Sequence, residues 1–209
     1  MREGRFSRSV DSAMRNMIFF ILRLFQQPGF LLRNCQVALT SRIERGSFLV
    51  NSSVGPYSYI GGGTYLNAVH VGNYCSIASG VKIGGMEHSW WWGSTSPRLS
   101  DHNISDRQTI IEDDVWIGAN VVIRQGLRIG RGAVLGAGSV VLSDVDSYVI
   151  VAGVPAKVIR RRFSEDVVSQ VVATKFWNYP PNKAKMLLNA IKFPETSGQS
   201  TSSNYVCSQ

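Results

Sequence analysis

Residues 111–145 read IEDDVWIGANVVIRQGLRIGRGAVLGAGSVVLSDV, and their period decides the fold. Ile111, Ile117, Ile123, Ile129, Leu135 and Val141 recur every six residues. A helix repeats at about 3.6 residues and a strand at about 2, so neither produces this spacing. A second inward position follows four places after each, at Val115, Val121, Leu127, Ala133, Ser139 and Val145. Glycine follows the aliphatic residue in Ile117-Gly118, Ile129-Gly130 and Leu135-Gly136, where a tight corner needs it. Three hexads close a triangular coil of about eighteen residues. Stacked coils then satisfy one another's backbone at about 4.8 Å per layer. The pattern predicts an all-β solenoid, a parallel β-helix.

An earlier block obeys the same rule less strictly, through Val54, Ile60 and, after one short repeat, Val71, Ile77 and Ile83, with Ser58, Thr64, Cys75 and Val81 at the second inward position. The solenoid is therefore expected over 48–159, in about five coils. Residues 84–109 abandon the period and hold three consecutive tryptophans, His88 and His102. Long excursions from a rigid repeat are where function resides, so this loop is the candidate site. Residues 1–47 form a basic and apolar N-terminal segment whose stretch 12–27 reads as a helix with a wide apolar surface. Two fates stay open for it: capping the first coil, or lying in a membrane interface as a peripheral contact. Residues 160–193 read as C-terminal helices. Ser164 is the N-cap of the first, Glu165 and Asp166 fill its first turn, and Pro180-Pro181 end it and open a shorter helix through Leu188. Residues 194–209, rich in Ser and Thr, read as a disordered tail.

The 209-residue chain is 44% apolar and only 17% charged, which fits a globular protein whose faces pack against further subunits. The net charge of +8 is concentrated partly in residues 1–45, with eight arginines against three acids, and partly in Arg160-Arg161-Arg162. That run is either a solvated basic face or a phosphate contact. Basic residues do not interleave with the tryptophans as a stacking platform requires, so no nucleic-acid partner is expected. Cys35, Cys75 and Cys207 are widely spaced without a CxxC pair, which indicates neither a disulfide framework nor zinc, and a reducing cytoplasmic setting is expected. No acidic or histidine cluster has metal-ligand spacing. The apolar run Met17 to Leu22 is interrupted by Arg23 and is too short to span a bilayer.

The hexads, the segment VGNYCSI at 71–77, DVWIG at 114–118 and GVPAK at 153–157 together resemble the hexapeptide-repeat acetyltransferases. The resemblance covers about residues 48–190 and is nearest to the xenobiotic acetyltransferases and their relatives that O-acetylate bacterial polysaccharides. It implies a left-handed hand for the β-helix, a homotrimer with sites between subunits, and acetyl-CoA as donor without a metal. In the segment GMEHSWWWGSTSP at 85–97, His88 takes the place of the family's catalytic base, and Glu87 stands where Asn or Gly is commoner. The same resemblance places Trp116 beside the pantetheine arm and runs that arm along Ala137 and Ser139, which serve mainly through backbone groups; Lys157 is the candidate mobile charge for coenzyme A phosphate, and Arg162, with its neighbours in the basic run, assists the 3′-phosphate. Glu87, Trp90, Trp92 and Tyr59 are assigned to the acceptor, the aromatics as platforms for sugar rings. Isolated histidines at 70 and 102 are read as having no task, although His102 lies in the excursion.

Acetyl transfer to a hydroxyl needs a base within hydrogen-bond reach, and neutral imidazole suits this role near neutral pH. The expected function is O-acetylation of a small-molecule or lipid-linked saccharide during surface polysaccharide synthesis. An antibiotic O-acetyltransferase and a non-catalytic trimeric scaffold remain the alternatives.

Overall fold

The computed structural model describes residues 31–100, 102 and 105–193. The expectations for the segment 12–27 and the tail 194–209 lie outside them. Residues 31–162 and 163–193 fall in two compact units.

The first unit is a three-sided parallel solenoid. Sheet 1 stacks Leu31–Arg33, Phe48–Val50, Tyr65–Asn67, Lys82–Ile83, Val122–Ile123 and Val140–Val141. Sheet 2 stacks Gln36–Val37, Ser53–Val54, Val69–Val71, Thr109–Ile111 and Arg128–Ile129. Sheet 3 runs from Arg42–Ile43 through Tyr59–Ile60, Ser76–Ile77, Trp116–Ile117 and Val134–Leu135 to Val149–Gly153, and Ala156–Arg161 closes it as an antiparallel edge. With six, five and seven strands among the described residues, the stack is taller than the five coils expected. It also begins before residue 48, since Leu31–Arg33, Gln36–Val37 and Arg42–Ile43 form a coil of their own.

The six-residue period is a consequence of this geometry. Ile111, Ile117, Ile123, Ile129, Leu135 and Val141 all point inward and are buried. Each such side chain contributes about 1.5–3 kcal/mol on leaving water. The irregular early block has one cause. Leu31, Phe48, Tyr65 and Lys82 are in register at 17-residue intervals, whereas Val122 and Val140 are 18 apart. The missing residue is always on the step from sheet 1 to sheet 2, as in Leu49 to Val54 and Leu66 to Val71, all four of which are buried. The excursion loop leaves the solenoid at this same shortened corner.

Interior hydroxyls occupy second inward positions of the early coils. Ser58 Oγ donates to the Gly72 carbonyl at 2.8 Å and accepts from the Cys75 amide at 2.9 Å. It thereby ties corner backbone that no strand satisfies. Cys75, also inward, donates through Sγ to the Glu112 carbonyl at 2.9 Å, and burial pushes its thiol up to about 12. A thiol so held is a core filler rather than a nucleophile.

In the second unit, α1 (Glu165–Thr174) starts at Ser164, whose side chain accepts from the Val167 amide. It ends at Lys175 in the left-handed region, before a short turn at Phe176–Asn178, and not at Pro180 as expected. Pro181 opens α2 (Pro181–Asn189). Among the described residues, no helix is long and apolar enough to cross a membrane.

Candidate active site

The excursion leaves after Ile83 and rejoins sheet 2 at Thr109. Gly84 and Gly85 make the departure with φ of 78° and 107°, a region costly for other residues. A Cβ at Gly84 would also collide with the Asn67 carbonyl. Within the loop, the Leu99 and Ser100 amides donate to the Ser96 carbonyl, and the buried hydroxyls of Ser89 and Ser100 meet at 3.1 Å. These bonds give the loop a defined shape around His88.

His88 Nδ1 lies 2.6 Å from the Thr95 carbonyl oxygen. A carbonyl only accepts, so Nδ1 carries a proton, and in the neutral imidazole the lone pair is on Nε2. His88 is exposed. Trp90, Trp91 and Trp92 are 80%, 57% and 41% exposed, and Trp92 stands edge-on to His102 at 6.1 Å between ring centres. The loop thus presents aromatic surface beside the base.

Glu87 does not orient the imidazole, a role taken by the Thr95 carbonyl. Its carboxylate instead faces Arg124 at 3.8 Å and Arg107 at 4.0 Å. Neither arginine was singled out from sequence, because the excursion separates all three residues along the chain. Thr95 acts through its backbone, which carries no side-chain signal.

The residues assigned to coenzyme A lie elsewhere on the solenoid. Trp116 and Tyr59 project from one row of sheet 3, in register through Ser76, and are 57% and 39% exposed. Ala137 is exposed at the corner between sheets 3 and 1, and Lys157 is exposed on the last strand of sheet 3. In a three-sided coil, the corner between sheets 1 and 2 is opposite sheet 3. The root of the excursion and Trp116 therefore lie on opposite sides of the coil.

Two assigned residues are committed within the fold. Ser139 is fully buried, donating to the Gly136 carbonyl at 2.6 Å and accepting from the Gly153 amide at 3.2 Å, so its side chain faces the interior rather than a ligand. Arg162 donates to the Gly132 carbonyl at 2.6 Å and to Asp114 at 3.3 Å. It completes a series in which Arg128 pairs with Glu112 and Arg131 with Asp113. Burial, opposed by Arg162, raises the Asp114 carboxyl above its ordinary value. This series is structural, holding the corner between sheets 2 and 3. Among the described residues, no group of three or more His, Cys, Asp or Glu could hold a metal ion.

A three-sided parallel solenoid interrupted by a loop that presents a basic imidazole defines the class to which this chain is compared. The model for the bacterial transferase hexapeptide (six repeats) matches residues 108–143. A chloramphenicol acetyltransferase of Agrobacterium fabrum is 35% identical over 53% of this chain and 60% of its own length. A probable macrolide acetyltransferase of Lysinibacillus sphaericus is 33% identical over 50% of this chain and 66% of its own length. The chain thus spans about three fifths of the first of these relatives. Among solved structures, a variant of AntD, an N-acyltransferase from Bacillus cereus, superposes with a TM-score of 0.59 at 23% identity, over 71% of this chain and 86% of that one. These matches show the resemblance to the hexapeptide-repeat acetyltransferases that the repeats and motifs carry.

Proposed function

We propose that this chain is an acetyl-CoA-dependent O-acetyltransferase that acetylates a sugar hydroxyl of a bacterial surface polysaccharide. The observation that carries the reading is the contact between His88 Nδ1 and the Thr95 carbonyl, which leaves Nε2 as the base. An alcohol is too weak an acid to ionise beforehand, so Nε2 takes the hydroxyl proton as the oxygen attacks. Acetyl-CoA supplies the acetyl group as a thioester, and His88 then returns the proton to the departing sulfur, so no acyl-enzyme is needed. Trp90 and Trp92 offer flat surface to sugar rings.

The donor side fits the corner between sheets 3 and 1. Ala137 is exposed there, and nothing lies within 4 Å of where a Cβ on Gly138 would stand. Trp116 flanks the lane that the pantetheine arm would take, and exposed Lys157 supplies a cation for phosphate. Because the excursion that carries His88 leaves the coil on the side opposite Trp116, the complete site is placed between the loop of one copy and sheet 3 of a neighbour. A homotrimer with three such sites meets this requirement. Contact of residues 12–27 with the cytoplasmic face of the inner membrane would bring the enzyme to a lipid-linked acceptor.

A second reading, acetylation of an antibiotic hydroxyl by the same chemistry, is favoured by the 35% identity to the chloramphenicol acetyltransferase. The test is coenzyme A release from acetyl-CoA by the purified protein, with saccharide acceptors and chloramphenicol compared at equal concentration. Transfer to saccharide supports the first reading; transfer to chloramphenicol alone replaces it with the second.

A further inference from the structure

The corner at the root of the excursion holds polar groups that the solenoid itself does not use. Arg107 and Arg124 both face Glu87, at 4.0 and 3.8 Å, beyond hydrogen-bond distance. Two guanidiniums thus face one carboxylate. Their side chains remain 58% and 46% exposed, so donors on both are open to a ligand. Both are fixed at their base: the Arg107 amide donates to Gln125 Oε1 at 3.1 Å, and the Arg124 amide donates to the Val141 carbonyl at 3.1 Å.

Among the described residues, three side-chain atoms at the same corner are buried without a hydrogen-bond partner, namely Asn67 Oδ1, Glu87 Oε1 and Gln125 Nε2. They come from successive layers: Asn67 ends a strand of sheet 1, Glu87 follows the next such strand, and Gln125 follows the one after. Gln125 is only 2% exposed, and its oxygen is engaged by Arg107, so its amide nitrogen keeps unspent donors. Buried polar atoms without partners are costly, and of these three the Gln125 amide nitrogen is the donor that an oxyanion can satisfy, since Asn67 Oδ1 and Glu87 Oε1 only accept.

We propose that Arg107 and Arg124 form an oxyanion-binding subsite for the acceptor, so that the preferred saccharide carries a carboxylate or a phosphate near the hydroxyl that faces His88. This deepens the proposed function and rests on it. Guanidinium groups suit both oxyanions through paired N–H donors, and Glu87 holds the two arginines at one place. Glu87 also opposes binding of a second anion at the same spot, which limits the subsite to one oxyanion. The acidic sugar and the sugar phosphate share this chemistry, and the test separates them.

The experiment compares glucose, glucuronic acid and glucose 1-phosphate, both as acceptors in the coenzyme A release assay and as ligands in titration calorimetry. It uses the full chain and its Arg107→Gln, Arg124→Gln and Arg124→Lys variants, with circular dichroism confirming that each folds. The expected result is a KM for at least one anionic saccharide about tenfold or more below that for glucose. Arg124→Gln raises that KM by a similar factor with a smaller change in kcat, Arg124→Lys recovers part of it, and added salt weakens it. Preference for glucuronic acid assigns the carboxylate, and preference for glucose 1-phosphate assigns the phosphate. Equal use of glucose and the anions overturns the subsite while leaving acetyl transfer intact. If no saccharide is acetylated, the proposed function fails, and calorimetry alone decides the subsite: oxyanion binding lost in Arg124→Gln upholds it, and no binding overturns it.

Discussion

Replacing Gly118 by alanine would put a methyl group where the backbone of the next coil already lies. The added Cβ would stand 2.6 Å from the Ala137 amide nitrogen, 2.8 Å from the Ala137 Cα and 3.0 Å from the Leu135 carbonyl oxygen. None of these atoms belongs to a flexible side chain, so the layers must part locally. The bond from the Gly118 amide to the Leu135 carbonyl, 2.8 Å long, lies at the same place and lengthens as they do. Overpacking of this kind costs about 1–3 kcal/mol. At about 2–4 °C per kcal/mol for a chain of this size, the melting temperature should fall by several degrees. The same shift moves Trp116 and Ala137, so KM for acetyl-CoA should rise more than KM for the acceptor. Gly93→Ala is the control, because nothing lies within 4 Å of its Cβ position. Thermal unfolding followed by circular dichroism, with coenzyme A release kinetics, checks both effects. A Gly118→Ala protein as stable as Gly93→Ala, with an unchanged KM for acetyl-CoA, would refute the reasoning.

Ser58→Ala should lower the urea midpoint by an amount equivalent to about 1–3 kcal/mol, since it strands the Gly72 carbonyl and the Cys75 amide inside the solenoid; a change under about 0.5 kcal/mol would contradict this. Asp114 has a folded-state pKa raised above 3.8, chiefly by burial, so its stabilising contribution is complete below that value and is lost as pH rises through the folded pKa. Asp114→Asn cannot ionise, so its urea midpoint relative to the parent should improve as pH rises above 3.8, and a difference that stays constant with pH would count against the account. Cys75, buried and with its thiol pushed up to about 12, should resist a thiol reagent in the native protein and react after denaturation. Rapid native labelling, mapped to Cys75 by peptide mass spectrometry, would contradict that.

The parts of the fold that could be read from sequence were those in which one residue type repeats for one physical reason. Ile111 to Val141 face the axis at every sixth position, so their period survives any choice of surface residue. Leu66 was harder to see because the step from it to Val71 is one residue short, which breaks the phase. The coil at 31–47 is hidden for a related reason: Leu32 and Ile43 point inward but are only half-buried, and exposed Leu31 and Leu39 blur the contrast. At the candidate site, the context of His88 is legible in the sequence, while the group it contacts is a backbone carbonyl. Arg162 is not legible in the same way, because an arginine open to a phosphate and one bonded to Asp114 look identical in sequence. Ser139 occupies a second inward position of the repeat, so the burial of its side chain is legible in the sequence.

Mass spectrometry of the surface polysaccharide from cells carrying the parent protein, His88→Ala, or no copy of the gene tests the central claim most directly. The account predicts an O-acetyl group present with the parent and absent from both other strains, since loss of a general base alone costs about 10²–10⁴ in rate. An O-acetyl group that persists in the His88→Ala strain and disappears only with the gene would contradict His88 as the base.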